Sequence, residues 1–184
     1  MGNSIRYDSP TVARAFAVEK HGKQRYGNQP YSFHLDSAVR ELENHILTLP
    51  ALRFHDHGII RAATYLHDVL EDTDTSVIQL AANFTSPVVE LVQAVSDGPG
   101  KNRKERKFYV YQAIKRVGVA ALAVKLADRL ANAQACGLSK DRNSMLDMYR
   151  KEQPGFELAL GCNELNGFSS VFEKIRDYLG MAQA

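Results

Sequence analysis

Ala62-Ala63-Thr64-Tyr65-Leu66-His67-Asp68-Val69-Leu70-Glu71-Asp72-Thr73 is an apolar, helix-forming run that ends in four ligating or proton-handling side chains within six residues. In a helix His67 and Glu71 stand four apart, as do Asp68 and Asp72, so each pair shares a face. Charges on a face that runs on from apolar residues are costly to bury alone. A divalent cation removes that cost, and imidazole with carboxylate is a fitting ligand set for one.

Two other segments have the same character. Tyr31-Ser32-Phe33-His34-Leu35-Asp36-Ser37-Ala38-Val39 and Val124-Lys125-Leu126-Ala127-Asp128-Arg129-Leu130-Ala131-Asn132 each set a ligand-type side chain in an apolar, helix-forming context. His34, His67, Asp68 and Asp128 together make a mixed nitrogen and oxygen site, suited to Mn²⁺, Fe²⁺ or Zn²⁺ and less so to Mg²⁺. Their separation along the chain is no obstacle, because a helical bundle brings distant positions to one centre.

The surroundings predict an all-α, single-domain bundle over residues 1–184. Apolar periodicity and helix-start signals place helices over about 10–22, 32–49, 58–70, 77–83, 86–95, 101–116, 119–135, 140–152 and 165–179, with a short one near 156–160. The run from Val119 to Ala135 is rich in Ala, Leu and Val and is expected to be the most buried. No paired strand-turn-strand signal is present. Phe108, Tyr109, Tyr111 and Tyr149 read as packing residues in preference to a base-stacking platform, and Met145 and Met148 as core. Phe54-His55-Asp56-His57 repeats the His-Asp dipeptide, but in a polar loop, and reads as surface.

Composition narrows the class. The chain has 184 residues, 45% of them hydrophobic and 24% charged, a globular balance. A net charge of +2 does not point to nucleic acid. No apolar run approaches the roughly 20 residues of a membrane span, and the first residues contain no secretory signal. Cys136 and Cys162 form no metal or redox spacing and read as reduced thiols of a cytoplasmic protein. Lys101-Asn102-Arg103-Lys104-Glu105-Arg106-Lys107 is locally basic. It reads either as a solvated helix start or as a phosphate-facing patch near the metal.

With these residues in view, a resemblance follows. His34, then Leu66-His67-Asp68-Val69-Leu70-Glu71-Asp72-Thr73, then Lys125-Leu126-Ala127-Asp128-Arg129, resembles the HD-domain metal-dependent phosphohydrolases. More narrowly, it resembles the RelA/SpoT-type alarmone hydrolases and their small stand-alone forms. His21-Gly22-Lys23-Gln24-Arg25, Gly27 and Pro30-Tyr31 are similar to that family's opening signature. The likeness covers about residues 10–135, with further helices over 140–180 and no room for a synthetase domain.

The resemblance implies an HD-type helical fold and one Mn²⁺ on His34, His67, Asp68 and Asp128. It implies Glu71 and Asp72 as the groups that position and activate water. Arg25, Lys23, Tyr31, Asn132 and Lys104 are the implied substrate contacts. The implied reaction removes the 3′-pyrophosphate of ppGpp and pppGpp. The family's usual proline after the first histidine is Leu35 here, and its usual His-Asn is Ala131-Asn132. Both departures bear on substrate choice. Two other functions stay open: phosphohydrolysis of an adenine alarmone, a nucleoside monophosphate or NADPH, or a silent nucleotide-binding regulator. A silent binder has no need of Glu71 and Asp72.

Overall fold

The computed structural model describes residues 8–138, 143–161 and 167–181. The expected helix starts near 140 and 165, the N-terminal heptapeptide and Cys162 lie outside them. Among the described residues the chain is built from ten α-helices: α1 Pro10–His21, α2 Ser32–His45, α3 His57–Leu66, α4 Val69–Asp72, α5 Val77–Asn83, α6 Ser86–Val95, α7 Arg103–Val117, α8 Val119–Leu138, α9 Asn143–Leu160 and α10 Ser169–Tyr178. The all-α expectation holds. No helix of the described residues is long and apolar enough to cross a membrane.

The spine is α8, which packs against α2, α3, α6, α7, α9 and α10, while α3 fills the space between α1, α2, α6 and α8. Alternating Ala and Leu along α8 lets its neighbours approach closely. Leu122, Ala123, Leu126, Ala127 and Leu130 are all buried, facing Leu35, Leu42, Ile60 and Leu66 in one core. Each such buried leucine contributes roughly 1.5–3 kcal/mol by removal from water. Asp128 and Arg129 share this buried helix, so α8 carries two charges into the core, and each needs partners there.

Local chemistry sets the helix limits. Ser76 and Gln79 close a reciprocal capping box at the start of α5. Asn102 caps α7 by accepting from the Glu105 amide at 3.0 Å. The Asp of the second His-Asp dipeptide does likewise, for Asp56 caps α3 by accepting from Gly58 N at 2.8 Å. Its neighbour His57 contacts the Leu52 carbonyl at 3.1 Å. That dipeptide is a helix start.

Four expectations need correction. A short antiparallel ribbon stands in the polar loop, pairing β1 (Arg25–Tyr26) with β2 (Gln29–Pro30). Gly27 turns it at φ 60°, a backbone region that favours glycine. Helix α2 ends at His45, ahead of Pro50, which opens a 3-10 turn over Pro50–Leu52. The helix expected over 58–70 breaks at His67-Asp68, where the His67 ring bonds to the Thr64 carbonyl at 2.7 Å and Asp68 sits at φ −99°, ψ −5°. Last, α9 runs unbroken through Pro154. Proline there removes one amide donor. Arg129 grips the adjoining turn, donating to the Tyr149 carbonyl at 3.1 Å and to Gln153 Oε1 at 3.1 Å.

Candidate metal centre and active site

The break after α3 aims the two consecutive side chains His67 and Asp68 at α2 and α8. His34 comes from the first turn of α2 and Asp128 from the middle of α8. The Nε2 atoms of His34 and His67 lie 3.2 Å apart. Asp68 Oδ2 stands 3.4 Å from His34 Nε2 and 3.0 Å from His67 Nε2. Asp128 Oδ1 stands 3.6 Å and 3.5 Å from the same two atoms.

Ligands held about 2.1 Å from one ion at angles of roughly 90–110° stand about 3.0–3.5 Å apart. The spacing therefore fits a shared divalent ion, and the ligand atoms of His34, His67 and Asp68 form a compact group able to hold one. The tautomer fits too. Because the Thr64 carbonyl can only accept, His67 Nδ1 carries the hydrogen, so once Nε2 gives up its proton its lone pair faces the centre.

Charge at the cluster is strongly coupled. Burial works against a charged His67, but Asp68 and Asp128 outweigh it and hold its pKa well above 6.5. Burial also opposes the Asp68 carboxylate, but His67 and His34 hold its pKa well below the usual range. Asp128 is likewise lowered, chiefly by Lys125 against the cost of burial. The Lys125 ammonium reaches Asp128 Oδ2 at 3.1 Å.

The ligands have outer partners. The Tyr31 hydroxyl lies 2.6 Å from Asp68 Oδ2 and 2.8 Å from Asp72 Oδ2. Its single hydrogen serves one carboxylate at a time. Tyr31 in turn stacks on His21 with ring centroids 4.0 Å apart. Tyr31 lines the cavity beside the cluster, and its hydroxyl is shared between the two aspartates. Asn132 donates to Asp128 Oδ1 at 2.5 Å and accepts from the Tyr26 hydroxyl at 2.7 Å, so its amide is engaged within the protein at both ends.

A cavity of about 280 Å³ opens beside the cluster, lined on the cluster side by His34, Asp68, Glu71, Asp128 and Asn132. The rest of its lining is largely basic and aromatic: Arg103, Lys107, Lys125, Arg129, Tyr111, Tyr149, Phe156 and Met145. Tyr111, Tyr149 and Met145 pack on the core as expected and line this cavity as well, whereas Phe108 and Tyr109 are exposed. Glu71 faces the cavity, with Oε1 accepting from the Asp97 amide at 2.8 Å. Loss of hydration raises its pKa, Lys125 opposes, and the carboxylates of Asp68, Asp97 and Asp128 add to the rise, leaving it at about 7. Asp72 diverges from Glu71: it lies on an adjoining open groove, outside the cavity lining.

Lys23, Arg25 and Lys104 are exposed and do not line the cavity. The Arg25 guanidinium instead closes its own ribbon on the Asn28 carbonyl at 2.5 Å. On α7 the cavity-facing pair is Arg103 and Lys107, in line with buried Val110 and Ile114. Positions 103, 107, 110 and 114 form one helical stripe, and that stripe was the sequence signal for this pair. Lys104 lies off it.

One carboxylate on α9 gathers the basic wall. Glu152 takes Arg103 at 2.8 Å, Arg129 at 3.5 Å and Lys107 in a close ion pair. Burial opposes the Glu152 carboxylate, but Arg103 and Lys107 lower its pKa to about 2. Burial lowers Lys107 to about 8 despite that pairing. Glu152→Gln is expected to destabilise the fold by about 2 kcal/mol, the scale of a charge-assisted hydrogen bond. That corresponds to a melting point lower by roughly 4–8 °C. A depressed carboxylate pKa stabilises above its unfolded value of 4.5 and ceases to as pH falls toward about 2. The gap between wild-type and variant melting points should therefore close across that window, and calorimetric melts at stepped pH read it.

No protein-family model matches the chain. In sequence it is 32% identical over 121 residues to the zebrafish guanosine-3′,5′-bis(diphosphate) 3′-pyrophosphohydrolase MESH1, covering 64% of this chain and 63% of that one. It is 32% identical over 124 residues to human MESH1, covering 65% of each. The match thus spans less than two thirds of these relatives. The guanosine-3′,5′-bis(diphosphate) 3′-pyrophosphohydrolase of Aquifex aeolicus is 35% identical over 127 residues, 66% of this chain and 17% of that one. A solved metazoan orthologue of SpoT shares the fold, with a TM-score of 0.67 at 22% identity over 98% of this chain and 100% of that one. The resemblance carried by the motifs is borne out: over about two thirds of its length the chain is similar in sequence to proteins named as SpoT-type 3′-pyrophosphohydrolases, and over nearly all of it similar in fold to a metazoan SpoT orthologue.

Proposed function

We propose that the chain is a manganese-dependent pyrophosphohydrolase that removes the 3′-pyrophosphate of ppGpp and pppGpp, giving GDP or GTP and pyrophosphate. The observation that carries this is the set of four donor atoms from His34, His67, Asp68 and Asp128, with five contacts of 3.0–3.6 Å, at the edge of a cavity with a basic wall. The mixed nitrogen and oxygen donors favour Mn²⁺ over Mg²⁺. Bound there, the ion supplies Lewis acidity, which lowers the pKa of water and offsets charge on phosphoryl oxygens.

The chain's own groups do the rest. Glu71, on the cavity wall, takes a proton from the attacking water. Water oxygen bonds to the phosphorus next to the 3′-oxygen, the phosphorus–3′-oxygen bond breaks, and that oxygen takes up the proton Glu71 accepted and leaves as the hydroxyl. Arg103, Lys107 and Lys125 face the phosphate charge. Tyr111, Tyr149 and Phe156 offer apolar surface to the nucleoside. Guanine as the base follows the relatives' names. Asp72 acts through Tyr31, sharing that hydroxyl's single hydrogen with Asp68. A cytoplasmic site of action fits a nucleotide substrate of this kind.

The test is incubation of purified, Mn²⁺-loaded protein with ppGpp, beside an adenine alarmone, nucleoside monophosphates and NADPH, with products resolved by chromatography. Equimolar pyrophosphate and GDP are expected from ppGpp. Bound Mn²⁺ without pyrophosphate release overturns the proposal, and free phosphate from NADPH in its place transfers the site to another substrate.

A further inference from the structure

Tyr26 lies 102 residues before Asp128 in sequence, yet it touches the cluster in two ways. Its ring stacks on His34, with centroids 4.6 Å apart and planes inclined at 18°. Its hydroxyl meets Asn132 Oδ1 at 2.7 Å, and Asn132 Nδ2 meets Asp128 Oδ1 at 2.5 Å. The direction of this relay is fixed by chemistry. An ionised carboxylate only accepts, so the Asn132 amide must turn its NH₂ to Asp128 and its oxygen to Tyr26, and the hydroxyl must donate. The oxygen so held, Asp128 Oδ1, is the one that faces both imidazoles, at 3.6 and 3.5 Å.

The ribbon is built to hold Tyr26 in place. Tyr26 pairs with Gln29 across the turn. The ribbon's base is tied twice: the Tyr31 amide donates to the Gln24 carbonyl at 3.1 Å, and the Gln24 side chain donates to the Asp72 carbonyl at 2.5 Å. A side chain on a two-residue strand is thereby fixed against both α2 and α8.

We propose that Tyr26 is a positioning residue of the metal centre: its hydroxyl, acting through Asn132, sets the Asp128 carboxylate toward the ion while its ring holds His34. The proposal rests on the metal reading above and adds to it the outer partner of one carboxylate ligand. Outer partners of metal ligands commonly govern affinity by about 10–100-fold.

Tyr26→Phe keeps the ring and deletes the hydroxyl, so it isolates the relay. Calorimetric titration of metal-free protein with Mn²⁺ should show affinity about tenfold weaker for Tyr26→Phe, and at least as weak for Asn132→Ala. The double variant should match Asn132→Ala alone, since one relay is broken once. Far-ultraviolet circular dichroism of each variant verifies its fold. Wild-type affinity in Tyr26→Phe, or losses that multiply in the double variant, overturns the relay and leaves the metal reading standing. Failure of the wild-type protein itself to bind Mn²⁺ overturns both.

Discussion

Glu71→Gln is expected to leave Mn²⁺ bound and to lower kcat for ppGpp hydrolysis by about 10²–10⁴-fold, the usual contribution of a positioned general base. Glutamine is isosteric and keeps the oxygen that accepts from the Asp97 amide. The change therefore removes proton affinity and little else. The pH profile adds a second readout. A base works when deprotonated, and enclosure has pushed the Glu71 pKa up to about 7 against the pull of Lys125. The rate should rise with pH along a limb whose midpoint is at or below that value, since a bound cation lowers a neighbouring carboxyl. In Glu71→Gln the limb should vanish together with the rate. A variant that keeps either the rate or the limb removes Glu71 from the role of base. Both are read from initial rates at saturating Mn²⁺ across pH 5–9 (about two units either side of the expected midpoint).

The divergence of Glu71 from Asp72 shows where sequence reasoning stops. Adjacent residues at a helix end read as a pair, but α4 spans only Val69–Asp72, and consecutive side chains on one turn point about 100° apart. One carboxyl therefore meets the cavity and the other meets Tyr31 and the groove. That His34, His67, Asp68 and Asp128 come together was legible because each is a polar side chain amid apolar residues, a pattern that core packing alone seldom produces. The same reasoning chose Lys104 from a run of bases, because charge alone does not say which face of α7 turns inward; buried Val110 and Ile114 do. The ribbon escaped because two-residue strands have no room for alternation. The continuity of α9 through Pro154 escaped because the buried guanidinium that grips that turn, Arg129, comes from α8. Where a residue's role is set by its own segment, the sequence displays it. Where the role is set by what another helix brings, only the packed chain does.

Asp68→Asn should abolish binding and turnover together. Asp68 Oδ2 is the donor closest to His67 Nε2, at 3.0 Å, and it also receives the Tyr31 hydroxyl. A neutral amide in its place removes one negative charge and can turn its NH₂ toward the centre. The loss of Mn²⁺ affinity should exceed the roughly 10–100-fold that an outer partner costs, and turnover should fall with it. Acid tests the same coupling in the wild-type protein. In metal-free protein Asp68 and Asp128 hold the His67 pKa well above 6.5. A raised imidazole pKa stabilises the fold below 6.5 and ceases to as pH climbs through the folded-state value. The metal-free melting point should thus fall as pH rises past neutrality. Mn²⁺ must displace the same proton, so the stabilisation it confers should grow over the same range. In Asp68→Asn the neighbouring negative charge is gone, the imidazole gives up its proton at lower pH, and added Mn²⁺ should leave the melting point where it was. If the variant melts higher with Mn²⁺ by the wild-type increment, Asp68 is not a ligand and the centre lies elsewhere.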